Sequence, residues 1–176
     1  MDDLKIVFPA TSDKHSEKHL LKEFLAYQIY SLIDSNYMHT RLVNFSIVWK
    51  DKEKYQFTGF IIEDNDEYAR RKNLKVIDQG KLIAEALDRT SFLKMLFFQY
   101  MIANTDWGID SRHNIEMVKM PDLPRAIAMP YDFDYSGFVG QDYAVPDPRL
   151  KIETVHERFF FPAFQMKEEE FEAIAA

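Results

Sequence analysis

The sequence predicts an α+β fold in two lobes: a strand, helix and β-hairpin over residues 1–64, a charged connection over 65–80, and a mainly helical part over 81–176 that carries a second β-hairpin. Three patterns predict it. Leu21, Phe24, Leu25, Ile29, Leu32 and Ile33 recur at helical spacing between positions 18 and 33. Val43, Phe45, Ile47 and Trp49 alternate strictly, and a second run follows at 55–62 after the charged turn Asp51-Lys52-Glu53-Lys54, as an antiparallel hairpin requires. Residues 92–103 are apolar on nearly every face, which places that helix in a core, and two strand-like runs, 115–120 and 125–129, come after it.

The remaining elements follow from local chemistry. Leu4, Ile6 and Phe8 alternate with Lys5 and Val7 and stop at Pro9, a short strand with Lys5 on its opposite face. Ser12, Asp13 and Ser16 are N-cap candidates for the first helix, and Glu23 falls beside its apolar stripe. Glu63-Asp64-Asn65-Asp66-Glu67 ends the hairpin abruptly, and Arg70-Arg71-Lys72 balances it, so this stretch reads as a solvated connection with at most one helical turn. Gly80 and Asp88 punctuate a helical region before the buried helix, and Pro121-Asp122-Leu123-Pro124 joins the strands of the second hairpin. Beyond Gly140 come Pro146 and Pro148, the apolar block Phe159-Phe160-Phe161, and an acidic helical stretch over 167–172. The abrupt ending suggests a fragment of something longer.

At 176 residues and 47% hydrophobic content, the chain can bury one substantial core or two small lobes around a cleft. A net charge of −7 argues against a general nucleic-acid or anionic-membrane binder, because either gains from a basic surface. The absence of cysteine excludes disulfides and thiolate metal sites. The start, Met1-Asp2-Asp3, has neither the basic residues nor the apolar run of a signal peptide, and no apolar stretch is long enough to span a bilayer, so a soluble cytoplasmic protein is expected.

Polar residues concentrate in two short loops. The first reads Asn104-Thr105-Asp106-Trp107-Gly108-Ile109-Asp110-Ser111-Arg112-His113-Asn114, the second Tyr131-Asp132-Phe133-Asp134-Tyr135-Ser136-Gly137, and the apolar hairpin between them would bring both to one end. Clustered acids repel unless a cation lies between them. Asp132 and Asp134, two apart, would share a face, and together with Asp106 and Asn114 they offer the hard oxygen ligands that Mg²⁺ takes, with water and phosphate completing its shell. The competing reading is that Asp and Asn stand there as turn formers. His113 is a base or ligand, or a residue that bonds backbone; the other histidines, His15, His19, His39 and His156, have no metal-ligand spacing. Trp107, Tyr131, Phe133 and Tyr135 read as packing that fixes the loops.

The order of these pieces resembles the protein-kinase-like fold, particularly its atypical members of the HipA and CotH type. Lys5 on a first strand followed by Glu23 on a helix is similar to the nucleotide-phosphate lysine and its helix partner, and Phe60-Ile61-Ile62-Glu63-Asp64 to the last upper-lobe strand entering the hinge, which implies Glu63 and Asp64 at the nucleotide. Asn104-Thr105-Asp106 with Asn114 resembles the catalytic loop. That implies Asp106 as the residue orienting the acceptor hydroxyl and Asn114 as a metal ligand. Met129-Pro130-Tyr131-Asp132-Phe133-Asp134 resembles the metal-binding segment of CotH-type kinases, implying Asp132 as principal Mg²⁺ ligand and Asp134 as a second. The resemblance implies ATP with Mg²⁺ (or Mn²⁺) and phosphoryl transfer to a hydroxyl on a protein. There are departures. Eight positions separate Asp106 from Asn114, three more than in ordinary kinases, so the loop must bulge; no glycine-rich loop precedes Lys5; and the lower lobe is short. A truncated or divergent member fits, with two alternatives: a catalytically inactive pseudokinase-like binding module with a partner surface at 159–164, and a metal-dependent phosphohydrolase.

Overall fold

A computed structural model describes residues 4–50, 53–78, 83–120, 124–161 and 167–175. The fold is α+β, with two small antiparallel sheets and the helices packed between and beside them. The first sheet has the order β1-β3-β2, built from β1 (Lys5–Val7), β2 (Thr40–Trp49) and β3 (Glu53–Ile62). The β2–β3 pairing runs from Thr40↔Ile62 to Trp49↔Glu53, which sets Phe45 against Phe57 with stacked rings 5.5 Å apart. The chain at 51 and 52, in the expected turn, lies outside the described residues. β1 lies on the other side of β3, with Lys5 opposite Ile62. Gly59 permits that approach: a Cβ there would stand 2.7 Å from the Val7 carbonyl oxygen.

Helix α1 (Lys14–Ile33) begins four residues earlier than the apolar spacing suggests, because Asp13 caps it, accepting from the backbone N–H groups of His15 and Ser16 at 2.7 and 3.0 Å. Its inner face, Leu20, Glu23, Ala26, Tyr27 and Tyr30, is buried, so Glu23 lies on the core side and not beside it. Leu21, Leu25 and Leu32, counted in the apolar stripe, are exposed. The buried face is the row at spacings of three and four that begins with Leu20.

The charged connection is a full helix, α2 (Asn65–Lys72). Asp64 caps it through the Asp66 N–H, acidic residues fill its first turn and basic ones its last, and Asn73 ends it in the left-handed region at φ 53°. A two-residue strand β4 (Lys75–Val76) then joins the second sheet, β4-β5-β6, with β5 (Ile115–Lys119) and β6 (Ala126–Pro130) forming the expected hairpin. The helical region foreseen before residue 88 is a single 3-10 turn, Ala84–Ala86, and residues 79–82, Gly80 among them, lie outside the described residues. Residues 121–123 do too.

Helix α3 (Arg89–Met101), capped by Asp88, is the buried helix its composition predicts, with Phe92, Met95, Leu96 and Phe98 at 2% exposure or less. One apolar cluster runs from Leu20 of α1 through Phe60 and Phe98 to Met129 and Phe133. α1 therefore packs on both halves of the chain, with Tyr27 against Phe60 and Phe133, and Tyr30 against Phe98. α4 (Glu168–Ala175) closes on α3 through the Arg89–Glu170 pair and the Phe97–Phe171 ring contact. Among the described residues no helix is long and apolar enough to cross a membrane.

Candidate functional site

The first loop is launched by the end of α3. Ala103 turns left-handed at φ 52°, and the next residue, Asn104, is buried with its amide donating to the Gln99 side chain and its oxygen accepting from the Asp106 N–H, each at 3.0 Å. This Asx turn sets where Asp106 begins. The stretch between Asp106 and Asn114 forms a miniature hairpin: Gly108 and His113 exchange both backbone hydrogen bonds at 3.0 Å, around a turn over 109–112 in which Ile109 is buried and Arg112 is left-handed. The chain thus returns to its starting point. Asn114 donates to the Asp106 carbonyl at 2.8 Å and to its carboxylate Oδ2 at 3.1 Å, while the His113 ring Nε2 lies 2.8 Å from Oδ1.

The second loop is tied to the first and to α1. Tyr131 N–H donates to the Asn114 carbonyl where the hairpin ends meet. Asp132 is left-handed at φ 60° and its N–H donates to the Tyr27 hydroxyl at 2.8 Å. Residues 131–133 are not strand, so Asp132 and Asp134 do not share a strand face as their spacing suggests. They are brought together by the turn: Asp134 acts on Asp132 by both charge and hydrogen bonding. Phe133, fully buried against Tyr27 and Phe98, anchors the turn from inside. Beyond it Gly137 and Phe138 donate to the carbonyls of Ala103 and Ile102, and a Cβ on Gly137 would collide with the Val155 carbonyl oxygen.

The outcome is an acidic cluster drawn from three elements. Burial, then the charges of Asp132 and Asp134, push the Glu23 carboxyl up to about 8, although it accepts from the Phe133 N–H. Burial, then Asp134 and Asp106, raise Asp132 to about 6, with His113 opposing. The Tyr143 hydroxyl donates to Asp134 at 2.6 Å. Such mutual repulsion is what a bound cation would relieve. Among the described residues no three His, Asp or Glu side chains form a ready-made metal group. A cation here would draw on Asp132 and Asp134 together with the Asn114 amide, whose nitrogen is committed to Asp106 and whose oxygen is the atom left to offer.

The expected Lys5–Glu23 pair does not form. Lys5 Nζ donates to Asn65 Oδ1 at 2.6 Å and sits 5.7 Å from the centre of the Tyr131 ring, and no ion pair joins it to Glu23 among the described residues. The cause lies in the topology: β1 faces the start of α2, whereas Glu23 is directed into the Asp132–Asp134 turn. Asn65 in turn donates to Glu116 of β5, a half-buried carboxylate raised by burial and opposed by Lys5. Glu63 is engaged by Arg71 at 2.7 and 2.8 Å and accepts from the His39 N–H, and Asp64 is spent on capping α2. Both side chains thus serve the connection itself.

Asn65, Glu116, Tyr27 and Tyr143 are site neighbours that the sequence reading passed over. Tyr27 was accessible to it, since Glu23 and Tyr27 stand four apart on one helix face; the others depend on long-range pairing. Beside Asp106 and His113 opens a cleft of about 670 Å³, walled by Trp107, Tyr135 and the segment from Val145 to Arg149. A smaller cleft of about 360 Å³, between the start of α1 and the outer part of the first sheet, shares no residue with it.

Comparison with protein-family models gives no match, and comparison with curated proteins and with solved structures gives none either.

Proposed function

We propose that this chain is an atypical kinase-like domain, two lobes sharing a cleft, that binds ATP with Mg²⁺ and transfers its γ-phosphoryl group to a hydroxyl, with a protein as acceptor. The observation that carries the reading is the convergence of Asp106, held by Asn114, with Asp132 and Asp134, residues of two loops at least 18 positions apart, so that Asp106 and Asp134 both repel Asp132 beside an open cleft.

Asn114, Asp132 and Asp134 would hold the metal. Mg·ATP supplies the electrophilic phosphoryl group and neutralises the charge that builds on it. Asp106, 35% exposed at its side chain, orients the acceptor hydroxyl and accepts its proton. Lys5, at the mouth of β1, moves from Asn65 onto phosphate oxygens. Glu23 holds the Phe133 N–H and so steadies the turn that presents Asp132.

A second reading, the non-catalytic binding module, draws support from the missing Lys5–Glu23 pair. It places a partner surface at 159–164, where Phe160 lies against Phe97 and Tyr100 and Phe161 against Trp107, each ring half-buried; residues 162–164 lie outside the described residues.

Calorimetric titration of Mg·ATP into the chain separates the two. Catalytic competence requires saturable binding that weakens at least about tenfold, roughly 1.4 kcal/mol, in Asp132→Ala and without metal. Absence of binding, or binding indifferent to metal, rejects the kinase-like reading.

A further inference from the structure

The extra residues between Asp106 and Asn114 have a specific structural product. The Gly108–His113 bridge closes a six-residue hairpin between Asp106 and Asn114. His113 thereby reaches Asp106 Oδ1 at 2.8 Å while its neighbour Asn114 holds Oδ2 at 3.1 Å and the backbone carbonyl at 2.8 Å. A carboxylate held on both oxygens by donors from one rigid turn loses its χ rotation. His113 is 55% exposed at its side chain and, with Asp106, lines the cleft of about 670 Å³, so the pair is presented to whatever enters there. The ring has no comparable structural duty: its backbone already closes the hairpin, and its side chain adds nothing to the apolar core.

We propose that His113 is the positioning residue for Asp106, donating from Nε2 to fix the carboxylate toward the acceptor cleft. The role rests on the phosphotransfer reading given above; the hydrogen bond itself does not. It assigns the inserted hairpin a purpose that the Asp106–Asn114 contact alone leaves unexplained.

Two measurements on the whole chain test it. Long-range ¹H–¹⁵N correlation of the imidazole reads which ring nitrogen of His113 carries a proton. A protonated Nε2, whose signal moves in Asp106→Ala, supports the proposal; a bare Nε2 overturns it. Transfer from radiolabelled Mg·ATP to a degenerate serine/threonine peptide mixture reads the role. His113→Ala should lower kcat about 10- to 100-fold with Mg·ATP affinity unchanged, and His113→Gln, which keeps a donor at similar reach, should recover most of the loss. Equal rates in the Ala and Gln variants, or kcat within twofold of wild type in both, overturn the proposal even if Asp106→Ala is inactive. Transfer that survives Asp106→Ala, or no transfer by the wild type at all, overturns the phosphotransfer reading and with it the role of His113, and is told apart because the ring-nitrogen result stands independently.

Discussion

Glu23 keeps its proton at neutral pH because three things act in one direction: burial, Asp132 and Asp134. Its pKa rises from 4.5 unfolded to about 8 folded. Between those values the folded state binds more protons than the unfolded one, so stability falls as pH rises through the window and the full penalty, about 5 kcal/mol at most, is present above pH 8. Asp132, raised from 3.8 to about 6, adds to the same slope at its lower end. Glu23→Gln keeps an oxygen for the Phe133 N–H and removes the titrating group. Urea titrations between pH 5 and 8.5 in the absence of divalent cations should therefore show a flatter profile for this variant and higher stability at the alkaline end. An unchanged slope would mean that Glu23 is ionised at little cost.

At the level of elements, α1 does more than its length suggests, because a single face of it serves both the core and the polar turn. The Tyr27 hydroxyl accepts from Asp132 N–H at 2.8 Å while its ring packs on Phe60 and Phe133. Asp132 is left-handed, a conformation that Asp tolerates and that must be held by its surroundings. Tyr27→Phe preserves the ring contacts and strands one backbone donor. The expected cost is about 1–2 kcal/mol in urea unfolding, with hydrogen exchange at Asp132 accelerated and the helix amides of α1 unaffected. A loss spread evenly along α1 would instead point to a packing defect.

Taken as a whole, the molecule joins its two sheets through one apolar cluster but leaves the acids at their junction mutually repelling. Under the proposed function, ligand binding repairs that junction. Mg·ATP at about a hundredfold its Kd would add about 2.7 kcal/mol and raise the melting temperature by roughly 5–10 °C for a chain of this size. Differential scanning fluorimetry should show this shift with Mg·ATP, a smaller one with Mg²⁺ alone, and none in Asp132→Ala. Equal shifts for wild type and Asp132→Ala would place the ligand elsewhere.

Periodicity and turn chemistry were sufficient for the elements whose stabilising contacts are local. The α1 helix, the β2–β3 and β5–β6 hairpins and the buried α3 stand where alternation and helical spacing put them, because a strand's or helix's face is set by residues a few positions apart. The same local signals misplaced Glu23 beside the stripe and read α2 as a connection, and the resemblance to the kinase-like fold paired Lys5 with Glu23. Each depends on partners far along the chain: Phe133, more than a hundred positions from Glu23, draws the carboxyl inward, and Asn65, sixty positions from Lys5, takes its ammonium group. The polar loops divide in the same way. Their acids and amides were legible as residue types, but the contact of Asp106 with Asn114 and His113 required the Gly108–His113 bridge, and the approach of Asp132 to Asp134 required a left-handed turn held by Tyr27. Composition declares which groups are available for chemistry; packing of distant segments decides which of them meet, because burial and charge repulsion are summed over neighbours in space and not along the chain.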